Sequence, residues 1–246
     1  MSYSDLKGKV FIVTGAAAGM GRDISLRLAR QGAAVGLIDL RSPDETLADI
    51  EKHGGQALKF SCDVKDSKAL DDIIRQVAEK FGRLDGAANM AGYVGTHSLE
   101  TMTSDQWENM IGVNLTGVKN SIASELRYMK GSGSIVNASS LSGTQGHANH
   151  AAYCSSKWGV IGLSKVAAQE VGARGIRVNA VAPGFVHTAL TASIMPKEQL
   201  EKTFNSHIAL GRMAEPEDIT RVILFLLSDE ARYISSAVIH VDGGYQ

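Results

Sequence analysis

The 246-residue chain predicts an α/β fold: a doubly wound parallel β-sheet flanked by helices on both faces. Two observations carry this expectation. Short β-branched runs alternate with longer stretches of helical period from one end of the chain to the other, an order met by parallel strands joined through crossover helices. The apolar run Val10-Phe11-Ile12-Val13 also ends in a glycine-rich turn, Thr14-Gly15-Ala16-Ala17-Ala18-Gly19-Met20-Gly21, and then opens a helical pattern. An open α/β sheet of the nucleotide-binding type begins in this way.

The elements follow in order. A strand over residues 10–13 leads into a helix over 19–31, closed by Gly32 in the left-handed conformation. The second strand, 34–39, precedes a helix over 43–53 that Gly54 closes in the same way. After a third strand at 57–62, Asp66 is placed to cap a helix over 67–81. A fourth strand at 86–89 is followed by a long helix over 104–128, with Ser104 as its cap. The fifth strand, 134–139, leads to a helix over 151–171. The sixth strand, 177–182, is separated by a long irregular stretch from a helix over 216–227 with Pro216 in its first turn, and a last strand covers 238–241.

Four prolines, no Ser/Gly-rich linker and no internal repeat argue for a single domain over residues 1–246. A formal net charge of -1 leaves no basic field for nucleic acid or anionic lipid, so small-molecule chemistry is the expectation. Residues 1–9 are polar and lack the apolar stretch of a signal peptide, and later apolar runs are too short to span a bilayer, which favours a cytoplasmic protein. Cys62 and Cys154 then suit reduced thiols. Of the seven histidines, His147 and His150 have no carboxylate or thiolate at ligand spacing, and no metal site is expected from them.

In the glycine turn, Gly15, Gly19 and Gly21 allow a tight bend, close backbone approach to a pyrophosphate and close packing of helix on strand. The helix N-terminus supplies free N–H groups and positive dipole to the phosphates. Asp39 ends the second strand, where a carboxylate accepts both hydroxyls of an adenosine ribose and repels a 2′-phosphate. NAD is therefore the expected cofactor. Arg41, two residues on, reads first as a solvated loop residue, but a swing of its guanidinium toward a 2′-phosphate keeps NADP possible.

Tyr153 and Lys157 are four residues apart and so share one helix face, while Ser140 arrives at the end of the preceding strand. An isolated Tyr-x-x-x-Lys pair is weak, since any amphipathic helix offers one. Beside a nucleotide turn and a strand-end serine it reads as a site for proton transfer. A free phenol has a pKa near ~10 and needs a neighbouring cation to serve as a base at neutral pH. Lys157 can supply it, and Ser140 can fix the substrate oxygen.

These residues together resemble the short-chain dehydrogenase/reductase family, over essentially the whole chain. The matching elements are the turn from Thr14 to Gly21, Asp63-Val64, Asn89-Met-Ala-Gly92, Asn114, Ser140, Tyr153-x-x-x-Lys157, Asn179-Ala-Val-Ala-Pro183-Gly184, Thr188 and Asp242-Gly243-Gly244. The resemblance implies a single Rossmann-like domain and a catalytic tetrad of Asn114, Ser140, Tyr153 and Lys157. It implies a cofactor held by Gly15, Ala18, Gly19, Met20, Gly21, Asp39, Leu40, Asp63, Val64, Asn89, Ala91, Gly92, Tyr153, Lys157, Pro183, Gly184, Val186 and Thr188. In these roles Asp63 bonds the adenine, Asn89 and Gly92 hold the strand edge near the ribose, and Thr188 and the Val186 backbone bond the nicotinamide carboxamide. Asn114 supports the catalytic helix and a water chain to Lys157. Met90 departs from the family, which usually has a second asparagine there, and local repacking is expected.

The implied activity is NAD(H)-dependent interconversion of a secondary alcohol and a ketone by hydride transfer. The alternatives are a dinucleotide-binding sensor or scaffold without turnover, and an isomerase, epimerase or cyclase of the same fold. Tyr93, Val94, Ser142, His147, His150 and Leu190 are the expected substrate residues, under a lid over residues 189–213 carrying Leu190, Ile194, Met195, Phe204 and Ile208. A medium-sized, partly apolar substrate is implied, such as a cyclic or aryl ketone or a β-keto acyl group. The family also implies a homotetramer, with a dimer second, built through helices over residues 107–129 and 153–171. Some relatives bind Mg²⁺ near a terminal glutamine, a role open to Gln246.

Overall fold

The computed structural model describes residues 3–192 and 195–245. Its strands are β1 (Val10–Thr14), β2 (Ala34–Asp39), β3 (Gln56–Ser61), β4 (Gly86–Asn89), β5 (Gly133–Ala138), β6 (Ile176–Pro183) and β7 (Val238–Val241). Between them lie α1 (Gly19–Arg30), α2 (Asp44–Lys52), α3 (Ser67–Phe81), α4 (Ser104–Ile111), α5 (Gly117–Tyr128) and α6 (Ala151–Val171). After β6 come α7 (Ala189–Ala192), α8 (Lys197–Phe204) and α9 (Pro216–Leu227). The strands form one parallel sheet in the order β3-β2-β1-β4-β5-β6-β7. The order reverses between β1 and β4, and open sheets bind ligands beyond the carboxyl ends of the strands at such a point.

β1 is buried along its whole length because both sheet faces are covered. Ile12, Ile74, Val77, Ile135, Val160 and Val178 form the core on one face, where α3, α5 and α6 pack. Val13, Ile24, Leu28, Val136, Ile223 and Leu227 form the other, under α1 and α9. This is the doubly wound arrangement that the alternation of strand and helix predicts.

Most boundary signals act as expected. The Asp66 carboxylate accepts from the backbone N–H groups of Lys68 and Ala69, and Pro216 occupies the first turn of α9. Gly32 and Gly54 adopt φ of 81° and 73°. The cap of α4 is Thr103 and not Ser104. Thr103 Oγ1 accepts from Gln106 N at 3.3 Å while Gln106 Oε1 accepts from Thr103 N at 3.0 Å, a reciprocal pair that satisfies two otherwise free donors and that Ser104 cannot make. The helix expected over 104–128 is also interrupted. Residues Gly112–Thr116 form a π-helical turn between α4 and α5, and Asn114 sits within it, buried. Such turns widen a helix locally and re-aim one side chain.

The stretch after β6 contains α7, α8 and a 3₁₀ turn at Asn205–His207. Ile194, expected in the lid, and Gln246, to which a Mg²⁺ role is open, lie outside the described residues. Cys62 and Cys154 are free thiols. Among the described residues, no helix is long and apolar enough to cross a membrane.

Candidate active site

The carboxyl ends of β1, β2, β4, β5 and β6 surround the site. At the end of β1, Gly15 turns with φ 70°, and a Cβ there would stand 2.9 Å from Ala91 N. A Cβ on Gly21 would lie 2.1 Å from the Gly15 carbonyl oxygen, so α1 packs against the turn more closely than any side chain permits. Ala18 caps α1 without a side-chain hydrogen bond, which leaves the first-turn N–H groups available to an anion. Asp39 braces the same turn. Its Oδ2 accepts from Ala17 N at 3.0 Å and its Oδ1 from Arg41 N at 3.1 Å.

The other expected cofactor residues rim this cleft or support it. Leu40 is exposed and Val64 buried, while the Asp63 carboxylate accepts from Lys65 N. Ala91 N donates to Thr14 Oγ1, tying the loop after β4 to β1. Asn89 works from inside the sheet: its amide nitrogen donates to Asn137 Oδ1 at 2.9 Å and to Glu125 Oε2 at 3.2 Å. Met90, where the family usually has asparagine, packs against the apolar cluster under α1. A Cβ on Gly19 would stand 3.8 Å from Thr188 Cγ2, which puts Thr188 across the cleft from the glycine turn. Thr188 and Thr191 bond each other, and the Thr191 hydroxyl donates to the Val186 carbonyl.

The tetrad residues converge. Ser140 follows β5, and Tyr153 and Lys157 lie one turn apart on α6. Ser140 and Tyr153 line the same cavity, and Ser140 Oγ accepts from Ser142 N at 3.1 Å. Lys157 Nζ donates to the Ala138 carbonyl at 2.9 Å and stands 5.7 Å from the Tyr153 ring centre. The π-helical turn aims Asn114 at the loop after β4, where it accepts from Tyr93 N at 3.0 Å and donates to Tyr93 O at 2.8 Å. A Cβ on Gly92 would meet Asn114 Oδ1 at 3.1 Å and Lys157 Nζ at 3.4 Å, so these groups share one small volume.

Burial is the strongest influence on both titrating groups. It pushes the Tyr153 phenol above its ordinary value, and the Ser140 hydrogen bond pulls it back in part. It pushes the Lys157 ammonium down to about 8. Proximity to a lysine suggests a phenol that ionises easily. In the protein alone, removal of water from the phenol opposes that effect. The Tyr153 ring is only half-buried because one side of it faces a cavity.

That cavity holds about 330 Å³, and its lining includes Val94, Ser140, Ser142, His147, His150, Tyr153 and Leu190. Five of the six expected substrate residues therefore face it. Tyr93 does not. It is 37% exposed, and its backbone N–H and C=O pair with the Asn114 amide. Leu141, Phe185, Leu200 and Tyr245 also line the cavity without having stood out in the sequence. Phe185 follows Pro183-Gly184 directly, a usable signal, but nothing local marks Tyr245. A larger hollow of about 720 Å³ lies at the amino ends of the strands, away from the tetrad. Two of its arginines are engaged, Arg83 with Asp85 and Arg177 with the Leu226 and Ser228 carbonyls, and none of the tetrad residues lines it.

Four likenesses bear on this geometry. A family model described as enoyl-(acyl carrier protein) reductase matches residues 15–246. The 3-oxoacyl-(acyl-carrier-protein) reductase FabG of Thermotoga maritima is 40% identical over 243 residues, covering 97% of this chain and 98% of that protein. Carveol dehydrogenase from Mycobacterium avium, solved in complex with NAD, superposes with a TM-score of 0.94 at 30% identity over 98% of each chain. Levodione reductase does so with a TM-score of 0.92 at 31% identity over 97% of each. The chain belongs to the short-chain dehydrogenase/reductase family. Within that family it is a Rossmann-like oxidoreductase with a nucleotide-binding end.

Proposed function

We propose that the protein interconverts a secondary alcohol and a ketone with NAD(H), using Tyr153 as the acid–base group. The observation that carries this reading is the Tyr153 side chain, beside Lys157, on the wall of a largely apolar cavity that Ser140 also lines. The residues present fit a dinucleotide. Gly15 and Gly21 leave a cradle that any Cβ would fill, the N-terminus of α1 has no side-chain cap, and Asp39 sets a carboxylate where a ribose would lie. Gly15, Ala18, Gly19, Met20 and Gly21 would hold the pyrophosphate, Asp39 the ribose, and Thr188 with the Val186 backbone the nicotinamide end. When bound, the nicotinamide supplies or accepts the hydride.

The chain's own groups handle the proton. Ser140 positions the substrate oxygen by a hydrogen bond, and Tyr153 donates a proton to it in reduction or takes one from it in oxidation. Lys157, held by the Ala138 carbonyl, keeps a positive charge near the phenol and favours its ionised form. Asn114 ties Lys157's helix to the loop after β4 and keeps this arrangement rigid. Leu190, Thr191, Leu200 and Phe204, from the stretch after β6, line the cavity and would keep water from the bound substrate.

NAD is preferred over NADP because both Asp39 oxygens sit at the ribose end of the cleft. The protein acts in the cytoplasm as a homotetramer, and the partly exposed Trp107, Trp158 and Val166 on α4 and α6 support burial of those helices against other copies. The test is nicotinamide absorbance with wild type and Tyr153→Phe, using NAD(H) and NADP(H) against ketones and secondary alcohols. Turnover that the variant loses supports the reading. Substrate conversion without net change in nicotinamide absorbance favours an isomerase or epimerase instead.

A further inference from the structure

We propose that the substrate is a compact, uncharged, ring-bearing ketone or its alcohol, and that Phe185, Phe204 and Tyr245 are the residues that select it. The proposal rests on the oxidoreductase reading above and specifies its substrate class. The three aromatic side chains come from separate places: Phe185 follows β6, Phe204 ends α8, and Tyr245 follows β7. They meet at the cavity. Phe185 and Phe204 stack with centroids 3.7 Å apart at 16°, and Tyr245 tilts at 55° with its centroid 5.4 Å from Phe185. Tyr245 is held there by backbone pairing with Ile208 and by the His207 ring at 6.2 Å. The result is an aromatic wall.

Size and charge narrow the occupant. A volume of about 330 Å³ equals roughly eleven waters at ~30 Å³ each, the scale of one substituted ring. Among the described residues, no Asp, Glu, Lys or Arg lines the cavity, so a carboxylate, phosphate or ammonium on the substrate would lose its water without gaining a counter-charge. A rigid ring covers the aromatic wall without freezing rotors, whereas a linear acyl thioester immobilises several bonds for the same contact. Thr191 and Tyr245, which carry hydroxyls, are also in the lining. Ser140 and Tyr153 take the reacting carbonyl, and Ser142, His147 and His150 leave room for one further neutral oxygen. His150 meets the Tyr153 ring edge-on, with centroids 6.4 Å apart, so it borders the reacting end.

The test compares kcat/KM for a substituted cyclohexenone, acetoacetyl-coenzyme A and acetoacetate, with NADH and NADPH. Wild type, Phe204→Ala, Tyr245→Phe and Tyr153→Phe are each measured, alongside thermal shift by the cyclohexenone in the presence of cofactor. The ring ketone is expected to lead the thioester and the carboxylate by at least about tenfold. Phe204→Ala should raise its KM about tenfold or more, while Tyr245→Phe, which keeps the ring, holds the preference. Faster turnover of the thioester or the carboxylate overturns the substrate class, and its loss in Tyr153→Phe would leave the reaction reading standing. If no compound turns over, a thermal shift by the cyclohexenone still upholds the class and it is the reaction reading that fails; no shift overturns the class.

Discussion

Replacing Glu125 by Gln is expected to stabilise the protein, and to do so more strongly as pH rises. Glu125 on α5 is fully buried, and its Oε2 accepts only from the Asn89 amide, at 3.2 Å. Its Oε1 and Asn89 Oδ1 are buried without a hydrogen-bond partner. Burial pushes the carboxyl from its usual 4.5 up to about 8, and the Asn89 bond lowers it only in part. In the unfolded chain the group ionises near 4.5, so between pH 4.5 and 8 the folded state keeps a proton that the unfolded state has released. Its contribution is therefore fully present below pH 4.5 and is lost as pH rises through 8. At ~1.4 kcal/mol per pH step, the loss is about 3 kcal/mol at pH 7 and approaches about 5 kcal/mol above pH 8. Gln has the same shape and no charge to release. Allowing ~1 kcal/mol for amide hydrogens without a good acceptor, Glu125→Gln should gain about 2 kcal/mol at pH 7 and little at pH 5. Urea unfolding of both proteins at pH 5, 7 and 8.5, at one protein concentration, measures this directly. A difference that does not change with pH, or a variant less stable than wild type at pH 8.5, would refute the view that Glu125 is a neutral acid.

Three further outcomes are expected. Tyr153→Phe should keep cofactor binding, followed by calorimetry, and lose ~10²–10⁴-fold in kcat; retention of more than about a tenth of wild-type activity removes Tyr153 from the proton step. Lys157→Met should abolish turnover yet raise stability at pH 7 by about 1–3 kcal/mol, because an ammonium pushed down to about 8 by burial destabilises the folded state below that pH and ceases to do so as pH climbs toward 10.5. A lower melting temperature for Lys157→Met at pH 7 would show that the Ala138 carbonyl and its neighbours offset the burial of that charge. Asp39→Ser should move the NAD/NADP ratio of kcat/KM toward NADP, and an unchanged ratio would show that Asp39 does not read the ribose.

The features that can be read from sequence are those encoded in neighbouring residues. Alternating β-branched runs and 3.6-residue periods specify the strands and helices, so the parallel sheet follows from their order. The glycine turn marks the nucleotide end because Gly15 and Gly21 serve close backbone approaches only a few residues apart. Tyr153 and Lys157 are legible because one helical turn separates them. The errors are local too: Thr103 outcompetes Ser104 as a cap by its reciprocal bonds with Gln106, and the π-helical turn around Asn114 has no periodic signature.

The remainder depends on which distant segments pack together and how much water they exclude. Phe185, Phe204 and Tyr245 form one wall only after three connections converge on the end of the sheet, and Tyr93 pairs its backbone with Asn114, 21 residues further along the chain, rather than lining the cavity. The protonation of Tyr153, Lys157 and Glu125 is set by burial, which no stretch of sequence displays. Residue order thus determined the sheet, the nucleotide turn and the pairing of Tyr153 with Lys157 on one helix face, because propensity and periodicity act over a few residues. Tertiary structure alone decided the shape of the substrate cavity and the charge state of its acids and bases, because both depend on contacts between residues far apart in the chain.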